Sequence, residues 1–146
     1  CLVQFCDIAI ADETADFFYP EAQIGFCGGL IAGLAARLPH KIAMEFMLSG
    51  KHFDAQRAYE TCMVNKVAPE GQLMEVAMDY ATIFRDSAPL VTGMLKRFVR
   101  DEVVNRGPSE LSALARKDLL AVSRSEDQQE GGRAFREKRK PVFQGR

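Results

Sequence analysis

The chain has 146 residues, of which 19 are basic and 20 acidic, and 47% of its residues are hydrophobic. This length allows one domain with a buried core, but it is short for an enzyme that must enclose a large substrate. The near-neutral charge gives no general attraction to nucleic acid or to membranes, so binding partners have to be inferred from local features.

The cysteines and histidines do not form a recognisable metal site. Cys1, Cys6, Cys27 and Cys62 lack CxxC spacing, and both histidines are isolated, as expected of surface or capping residues. Reduced thiols and no bound metal are therefore expected. The apolar stretches are interrupted by charges before they reach the about 18 residues of a membrane-spanning helix, and no signal peptide is recognisable. We expect a cytoplasmic protein that binds neither membrane nor nucleic acid.

The first twenty residues predict two short strands. Small and branched residues alternate over residues 6–11, and an aromatic run covers residues 17–19, with a loop between the two. Glu21 follows the second strand directly, after Pro20. Three glycines then interrupt the chain before the next helix.

Short helices and a strand are predicted over the following fifty residues. A helix over 30–38 ends at Pro39, and a helix over 41–48 is closed by Gly50, which suits a left-handed cap. Asp54 is placed to cap a helix over 55–61. A strand over 64–67 comes next.

From residue 70 onward the pattern is almost entirely helical. Two helices, over 73–84 and 90–99, each have an apolar face. Ser109 is placed to cap a helix over 110–122, and Ser125, followed by acidic residues, is placed to cap the last helix.

Two sequence segments that lie far apart in the chain carry a family resemblance. They are CDIAIADETADFFYPE, residues 6–21, and SEDQQEGGRAFREKRKPVF, residues 125–143, with AMEFMLSGKHFDAQRAYETCMVNKVAP between them. In order and spacing they resemble the second half of the crotonase, or enoyl-CoA hydratase/isomerase, family. The resemblance implies an α/β fold of the ClpP/crotonase type. Residues 1–70 would form the C-terminal part of its β-core and residues 71–146 a helical layer used in trimer packing, with an N-terminal half missing.

Glu21 stands where the resemblance places the catalytic glutamate. Its position after a strand and a proline, beside Phe17, Phe18 and Tyr19, predicts a partly desolvated aromatic setting that suits proton transfer. On the local sequence alone, a surface glutamate is the alternative interpretation.

Cys1 marks a departure from the family pattern. Hydratases of the family hold one water between two glutamates, and the earlier of these positions corresponds to Cys1. A thiol does not replace a carboxylate there without special activation, so a pocket-lining, substrate-contacting residue is the preferred interpretation over a reactive thiol. With Glu21 as the one retained carboxylate, double-bond isomerisation is favoured over the addition of water.

The glycine segment GFCGG, residues 25–29, replaces the family's Pro-Gly-x-Gly-Gly. Glycines before a helix let backbone N–H groups approach a ligand, so Gly25, Gly28 and Gly29 are candidates for shaping the acyl pocket, although a simple turn fits equally well. The family's oxyanion-hole donors correspond to positions before Cys1, so the residues of this sequence by themselves are not expected to turn over a substrate.

The C-terminal basic group has three possible interpretations. It contains Arg133, Arg136, Lys138, Arg139 and Lys140, with Phe135 and Phe143 interleaved. It can be a solvated helix face or a general anion patch. The resemblance implies a third role, in which Phe135 and Lys138 contact the adenine and phosphate portions of coenzyme A, often across a subunit boundary.

The resemblance thus implies an enzyme that acts on an acyl-CoA substrate, forms a homotrimer or hexamer and uses no separate cofactor. The alternatives are another acyl-CoA lyase or hydrolase of the same fold, and a catalytically degenerate CoA-binding homologue.

Overall fold

The computed structural model describes residues 2–26, 28, 30–104 and 107–146. Its helices are α1 (Glu21–Ile24), α2 (His40–Ser49), α3 (Ala55–Glu60), α4 (Leu73–Arg85), α5 (Pro89–Phe98), α6 (Pro108–Ser123) and α7 (Glu126–Arg136). Its strands are β1 (Ile10–Asp12), β2 (Asp16–Phe17), β3 (Phe53–Asp54) and β4 (Lys66–Ala68). The same residues contain 3₁₀ helices over Leu2–Phe5 and Leu30–Ala36 and a π-helical turn over Val99–Val103.

Two strand pairs organise the N-terminal part of the chain. β1 runs parallel to β4, with Ala11 opposite Val67, and β2 runs antiparallel to β3, with Phe17 opposite Phe53. Parallel strands cannot be joined by a tight hairpin, so the chain between β1 and β4 leaves the sheet and returns. This excursion carries α1 to α3, and with them Glu21.

The core lies between α2, α3, the second 3₁₀ helix and the short strands. Ala43 and Ala58 are completely buried, and Phe46 packs edge-on against Phe53 with 5.1 Å between the ring centres. Burial of one large apolar side chain contributes about 1.5–3 kcal/mol to folding. The Gln23 side chain donates a hydrogen bond to the Ser49 carbonyl at 2.7 Å, which ties α1 to the end of α2.

Three predicted helix caps are confirmed. Gly50 follows α2 with φ of 60°, in the left-handed region that favours glycine. The Asp54 carboxylate accepts the Arg57 N–H at 2.7 Å at the start of α3. The Ser125 hydroxyl accepts the Gln128 N–H at 3.1 Å at the start of α7.

The predicted strand bounds need correction. The first strand begins at Ile10 instead of residue 6, and the second consists of Asp16 and Phe17 instead of residues 17–19. β3 offers only two residues for pairing, so β2 ends at Phe17. Phe18 is exposed and stacks on His52, with 4.6 Å between ring centres, and the His52 Nδ1 lies 2.5 Å from the Asp16 carboxylate.

Three predicted helices also differ from expectation. The helix predicted over 30–38 is a 3₁₀ helix that ends at Ala36. The prediction that Ser109 caps α6 is wrong: the helix begins at Pro108, and the Gly107 N–H donates to the Glu110 carboxylate at 2.8 Å. Proline fits the first helical position, because its missing N–H would have no helical partner there. After Phe98, α5 continues into the π-helical turn.

Helices α4 and α5 expose many large apolar side chains. They are Met74, Met78, Ile83, Phe84, Leu90, Val91, Met94, Leu95 and Phe98, and Leu90 is 87% exposed. The ammonium group of Lys96 pairs with the Asp7 carboxylate, which links α5 to the first residues of the chain. Within the described ranges, every helix is too short or too polar to span a lipid bilayer. The division of the chain at residue 70 stays a prediction.

Candidate active site

Glu21 is the first residue of α1. Phe18, Tyr19 and Pro20 separate it from β2, so it does not follow the strand directly as predicted. The chain enters α1 through Pro20 (φ −84°, ψ −3°) and leaves it through Gly25, which has φ of 70°. The Glu21 carbonyl accepts the Phe26 N–H at 3.0 Å, so the backbone around the carboxylate is closed into a compact turn.

One oxygen of the Glu21 side chain has no partner. Oε2 is buried and accepts no hydrogen bond from any residue that the structure describes. A buried acceptor left unpaired typically costs about 1–3 kcal/mol, so folded proteins rarely keep one without a reason. The acceptor capacity of this oxygen is therefore unused by the described residues.

Glu21 lines an open groove of about 640 Å³. The groove joins three parts of the chain that are far apart in sequence. Its walls come from Ala22, Gly25 and Phe26 beside Glu21, from Ala121, Val122, Ser125 and Asp127 at the junction of α6 and α7, and from Phe143, Gly145 and Arg146 at the C-terminus. Most of these side chains are apolar, and the volume lies in the usual range for small-molecule sites.

The aromatic setting of Glu21 differs from the predicted one. Phe17 and Tyr19 pack with the core and Phe18 stacks on His52, so none of the three lines the groove. Phe26 and Phe143 supply the aromatic rings instead.

Asp127 is the second carboxylate in the groove wall, but its oxygens are already occupied. Oδ1 accepts the Gln144 N–H and Oδ2 accepts the Gly145 N–H, each at 2.7 Å. Each oxygen therefore already accepts one backbone N–H, which fixes the position of this carboxylate. Among the described residues that line the groove, Glu21 is therefore the carboxyl group with a free acceptor.

Two glycines allow α7 to lie against α1. A Cβ at Gly131 would stand 1.9 Å from the Ile24 carbonyl oxygen, and a Cβ at Gly25 would stand 2.8 Å from the Asp127 carbonyl oxygen. Real Cβ atoms do not approach this closely, so larger side chains would push the two helices apart. Gly25 thus shapes the groove through backbone packing and its left-handed φ.

Much of the C-terminal basic group is neutralised within the chain. Arg139 donates to both oxygens of Glu130, at 2.6 and 3.0 Å, and also to Glu137 at 2.6 Å. Arg133 donates to Glu130 at 3.1 Å. The hydrogen bond from Arg139, with a smaller contribution from the Val142 N–H, lowers the pKa of Glu130 from 4.5 to about 2.

The two residues predicted to contact coenzyme A lie at the far end of α7. Phe135 is 74% exposed, and Lys138 is exposed with φ of 54° just after the helix. Neither lines the groove. In the described residues, the charges of Arg136, Lys138 and Lys140 have no carboxylate partner, so they remain available to an anion.

The remaining predicted site residues are placed as follows. Gly28 is exposed and is not part of the groove wall. Cys1 and Gly29 lie outside the described residues, and their predicted roles stay predictions. The sequence pattern did not reveal three residues that shape the groove. Two of them line it, Asp127 and Phe143, and Gly131 allows α7 to pack against α1. The Gly131-Gly132 pair inside a helix was the one available signal, because glycine is unfavourable there.

The chain resembles proteins of known family along its entire length. The family model described as enoyl-CoA hydratase/isomerase matches residues 1–146. The chain is 34% identical over 145 residues to the carnitinyl-CoA dehydratase of Salmonella heidelberg (strain SL476), an alignment that covers 96% of this chain and 56% of that protein.

Solved structures show the same relationship. The carnitinyl-CoA dehydratase from Mycobacterium avium 104 superposes with a TM-score of 0.89 at 34% identity, over 99% of this chain and 58% of that one. A methylmalonyl-CoA decarboxylase in complex with 2-nitronate-propionyl-CoA gives a TM-score of 0.77 at 29% identity, over 96% and 55% of the two chains. The predicted crotonase-like fold is confirmed. The chain spans little more than half the length of these relatives.

Proposed function

This chain belongs to the enoyl-CoA hydratase/isomerase family, and from that premise we propose that Glu21 transfers a proton at an acyl-CoA thioester. The observation that carries the proposal is the buried, unpartnered Oε2 of Glu21 beside an apolar groove. Both the dehydratase and the decarboxylase relatives are named for acyl-CoA substrates, which supports the same substrate class here.

The arrangement suits a general base. A base has to lie within hydrogen-bond reach of the proton that it removes, about 2.6–3.2 Å between heavy atoms. A thioester bound in the groove would present the carbon next to its carbonyl group to the free Oε2. Glu21 would take the proton from that carbon and return it to the same carbon or to one further along the acyl chain.

Double-bond isomerisation is the specific reaction that we propose first. It needs one group that removes a proton and returns it elsewhere, and the Glu21 carboxylate meets that need. Asp127, the other carboxylate of the groove wall, is fully engaged by backbone N–H groups. The position that corresponds to the family's earlier glutamate is Cys1.

Dehydration of a hydroxyacyl-CoA is the second candidate. Its support is the 34% identity with proteins named carnitinyl-CoA dehydratase, in sequence and in structure. In this reaction Glu21 would remove the proton next to the thioester carbonyl and pass it to the departing hydroxyl group, which leaves as water as the double bond forms. The same carboxylate and the same carbon are involved, so the two reactions differ in what happens after proton removal.

The coenzyme A portion and the assembly complete the proposal. Phe135 and Lys138 would contact the adenine and phosphate groups, since both are exposed and Lys138 has no carboxylate partner among the described residues. Coenzyme A belongs to the substrate, and no further cofactor is required for proton transfer. A homotrimer or hexamer would cover the exposed apolar side chains of α4 and α5. A cytoplasmic location is retained as a prediction.

Substrate assays with the purified full-length protein test the proposal. Incubation with a 3-enoyl-CoA reports isomerisation, and incubation with carnitinyl-CoA reports loss of water. Product formation in either assay that disappears in Glu21→Gln supports the proposal. Tight acyl-CoA binding without turnover in both assays, and without proton exchange, would instead indicate a degenerate CoA-binding protein.

A further inference from the structure

Residues 142–145 are held against α7 by two carboxylates on one helix face. Asp127 accepts the N–H groups of Gln144 and Gly145, each at 2.7 Å, and Glu130 accepts the N–H of Val142 at 3.0 Å. Asp127 and Glu130 are three residues apart, so they lie side by side on the helix surface. A C-terminal segment is poorly ordered unless it is tied down, and these bonds tie it down.

Further contacts strengthen the attachment at both ends of this segment. Before it, Arg139 donates to both oxygens of Glu130. After it, the Asp127 N–H donates to the Arg146 carbonyl at 3.0 Å, and the Arg146 side chain lies 3.2 Å from the Glu126 carboxylate. Hydrogen bonds that involve a charged group are typically about twice as strong as neutral ones.

Phe143 lies in the middle of the attached segment. Its ring edge would stand 3.2 Å from a Cβ at Gly25, and the ring lines the same groove as Glu21. The residues on either side, Val142 and Gln144, are both bonded to α7 through their N–H groups. These bonds fix the backbone on both sides of Phe143 and so limit how far its ring can move away from the groove.

We propose that Asp127 and Glu130 are positioning residues that hold Phe143 as a wall of the groove, and that this wall limits the length of the acyl group. The inference rests on the proposed function in one respect, which is that the acyl group of a thioester binds in the groove. The hydrogen bonds that attach residues 142–145 to α7 do not depend on any reaction.

The chemistry of the wall sets the expected size of the effect. In an apolar binding site, one methylene group changes discrimination by about 10–200-fold. Removal of the Phe143 ring opens space for several methylene groups, so the preference should move toward longer acyl chains. Release of the segment from Asp127 should have the same effect, because the ring is then free to leave.

Two readouts on three variants test the inference. The variants are Asp127→Asn, Phe143→Ala and, as a control, Asp118→Asn, which changes an exposed carboxylate on α6 that makes no described hydrogen bond. Hydrogen exchange measures the protection of the amides of residues 142–145. Calorimetry with butyryl-CoA and decanoyl-CoA measures the chain-length preference, which does not require turnover.

We expect Asp127→Asn to speed amide exchange in the segment, because an NH₂ group replaces one carboxylate oxygen and cannot accept the N–H bonded there. We expect Asp127→Asn and Phe143→Ala to shift the preference toward decanoyl-CoA by about tenfold or more. Asp118→Asn should change neither quantity.

Unchanged amide exchange of residues 142–145 in Asp127→Asn would contradict the positioning role of Asp127. An unchanged preference between butyryl-CoA and decanoyl-CoA in Phe143→Ala would contradict the proposal that Phe143 limits the length of the acyl group. Phe143 is partly exposed, so its replacement does not threaten the fold. If the predicted shifts appear although the protein turns over no acyl-CoA, the failure concerns the reaction assigned to Glu21 and the inference stands. If the wild-type protein binds neither thioester, the groove does not hold an acyl group and the inference fails with it.

Discussion

The carbonyl oxygen of Ile24 occupies the space that a side chain at Gly131 would need. An ideal Cβ at position 131 would lie 1.9 Å from that oxygen, well inside the closest approach that real atoms make. Ile24 ends the helix that Glu21 begins, and Gly131 lies in the middle of α7. The position of the candidate base therefore depends on a backbone contact with a helix more than a hundred residues further along the chain.

Gly131→Ala should separate α1 from α7. Overpacking of a tight contact usually costs about 1–3 kcal/mol of unfolding free energy. Gly132→Ala is a matched control, since its Cβ would meet only the end of the Arg136 side chain at 3.7 Å. Alanine in a helix is favoured over glycine by about 1 kcal/mol, so the control should be slightly stabilised. Equal stability of the two variants in urea denaturation would show that the contact is not tight.

Acid should release the C-terminal segment from Glu130. Arg139 holds the pKa of Glu130 at about 2, below its ordinary 4.5. A carboxyl group whose pKa is lowered in the folded protein stabilises the fold above pH 4.5, and this stabilisation is lost as the pH falls from about 4.5 toward 2.

The protection factor of the Val142 amide, measured by hydrogen exchange and corrected for the intrinsic rate, should decrease over that pH range. In Glu130→Gln the protection should be low already at neutral pH and should change little with acid. Equal protection of Val142 at pH 6 and pH 3 in the unmodified protein would contradict this assignment.

Lys138→Gln should weaken the binding of coenzyme A by about tenfold, which corresponds to about 1.4 kcal/mol. The loss should shrink as salt is added, because a contact between exposed charges is screened. Lys140→Gln is the matched control, two residues further on and equally exposed. Calorimetry at low salt decides between a specific contact and a general patch. Equal losses in both variants would favour the patch, and no loss in either would favour a solvated helix face.

The exposed apolar side chains of α4 and α5 should mediate self-association. Leu90 and Phe98 are 87% and 55% exposed, and a stable monomer rarely leaves many large apolar side chains open to water. Light scattering should give a mass of three or six subunits for the protein. Leu90→Ser with Phe98→Ser should lower that mass, whereas Ser112→Ala on α6 should not. A monomer at micromolar concentration would contradict the predicted trimer or hexamer.

Local sequence patterns were sufficient to predict helix caps that depend on residues close by in the sequence. Asp54 and Ser125 cap their helices through bonds that reach only three residues along the chain, so spacing alone reveals them. The same reasoning was wrong for Ser109, because Pro108 can begin a helix and the Glu110 side chain can cap it from within.

Contacts between distant residues were not predictable in the same way. Asp127 bonds to Gln144 across 17 positions, and Gly131 meets Ile24 across more than a hundred, and no spacing rule signals either pair. The family resemblance correctly implied the fold and directed attention to Glu21. It did not reveal that the aromatic wall of the groove comes from Phe26 and Phe143 instead of the residues beside Glu21.

Solvent-deuterium exchange in Glu21→Gln tests the central claim most directly. The purified full-length protein is incubated in deuterated water with an acyl-CoA, and mass spectrometry measures deuterium on the acyl group. Glutamine keeps nearly the same shape but cannot accept the proton, and general bases typically contribute about 10²–10⁴-fold. Glu75→Gln, at an exposed position on α4, is the control. We predict exchange in the unmodified protein and in Glu75→Gln, and its loss by at least about a hundredfold in Glu21→Gln; exchange at the unmodified rate in Glu21→Gln would contradict the assignment.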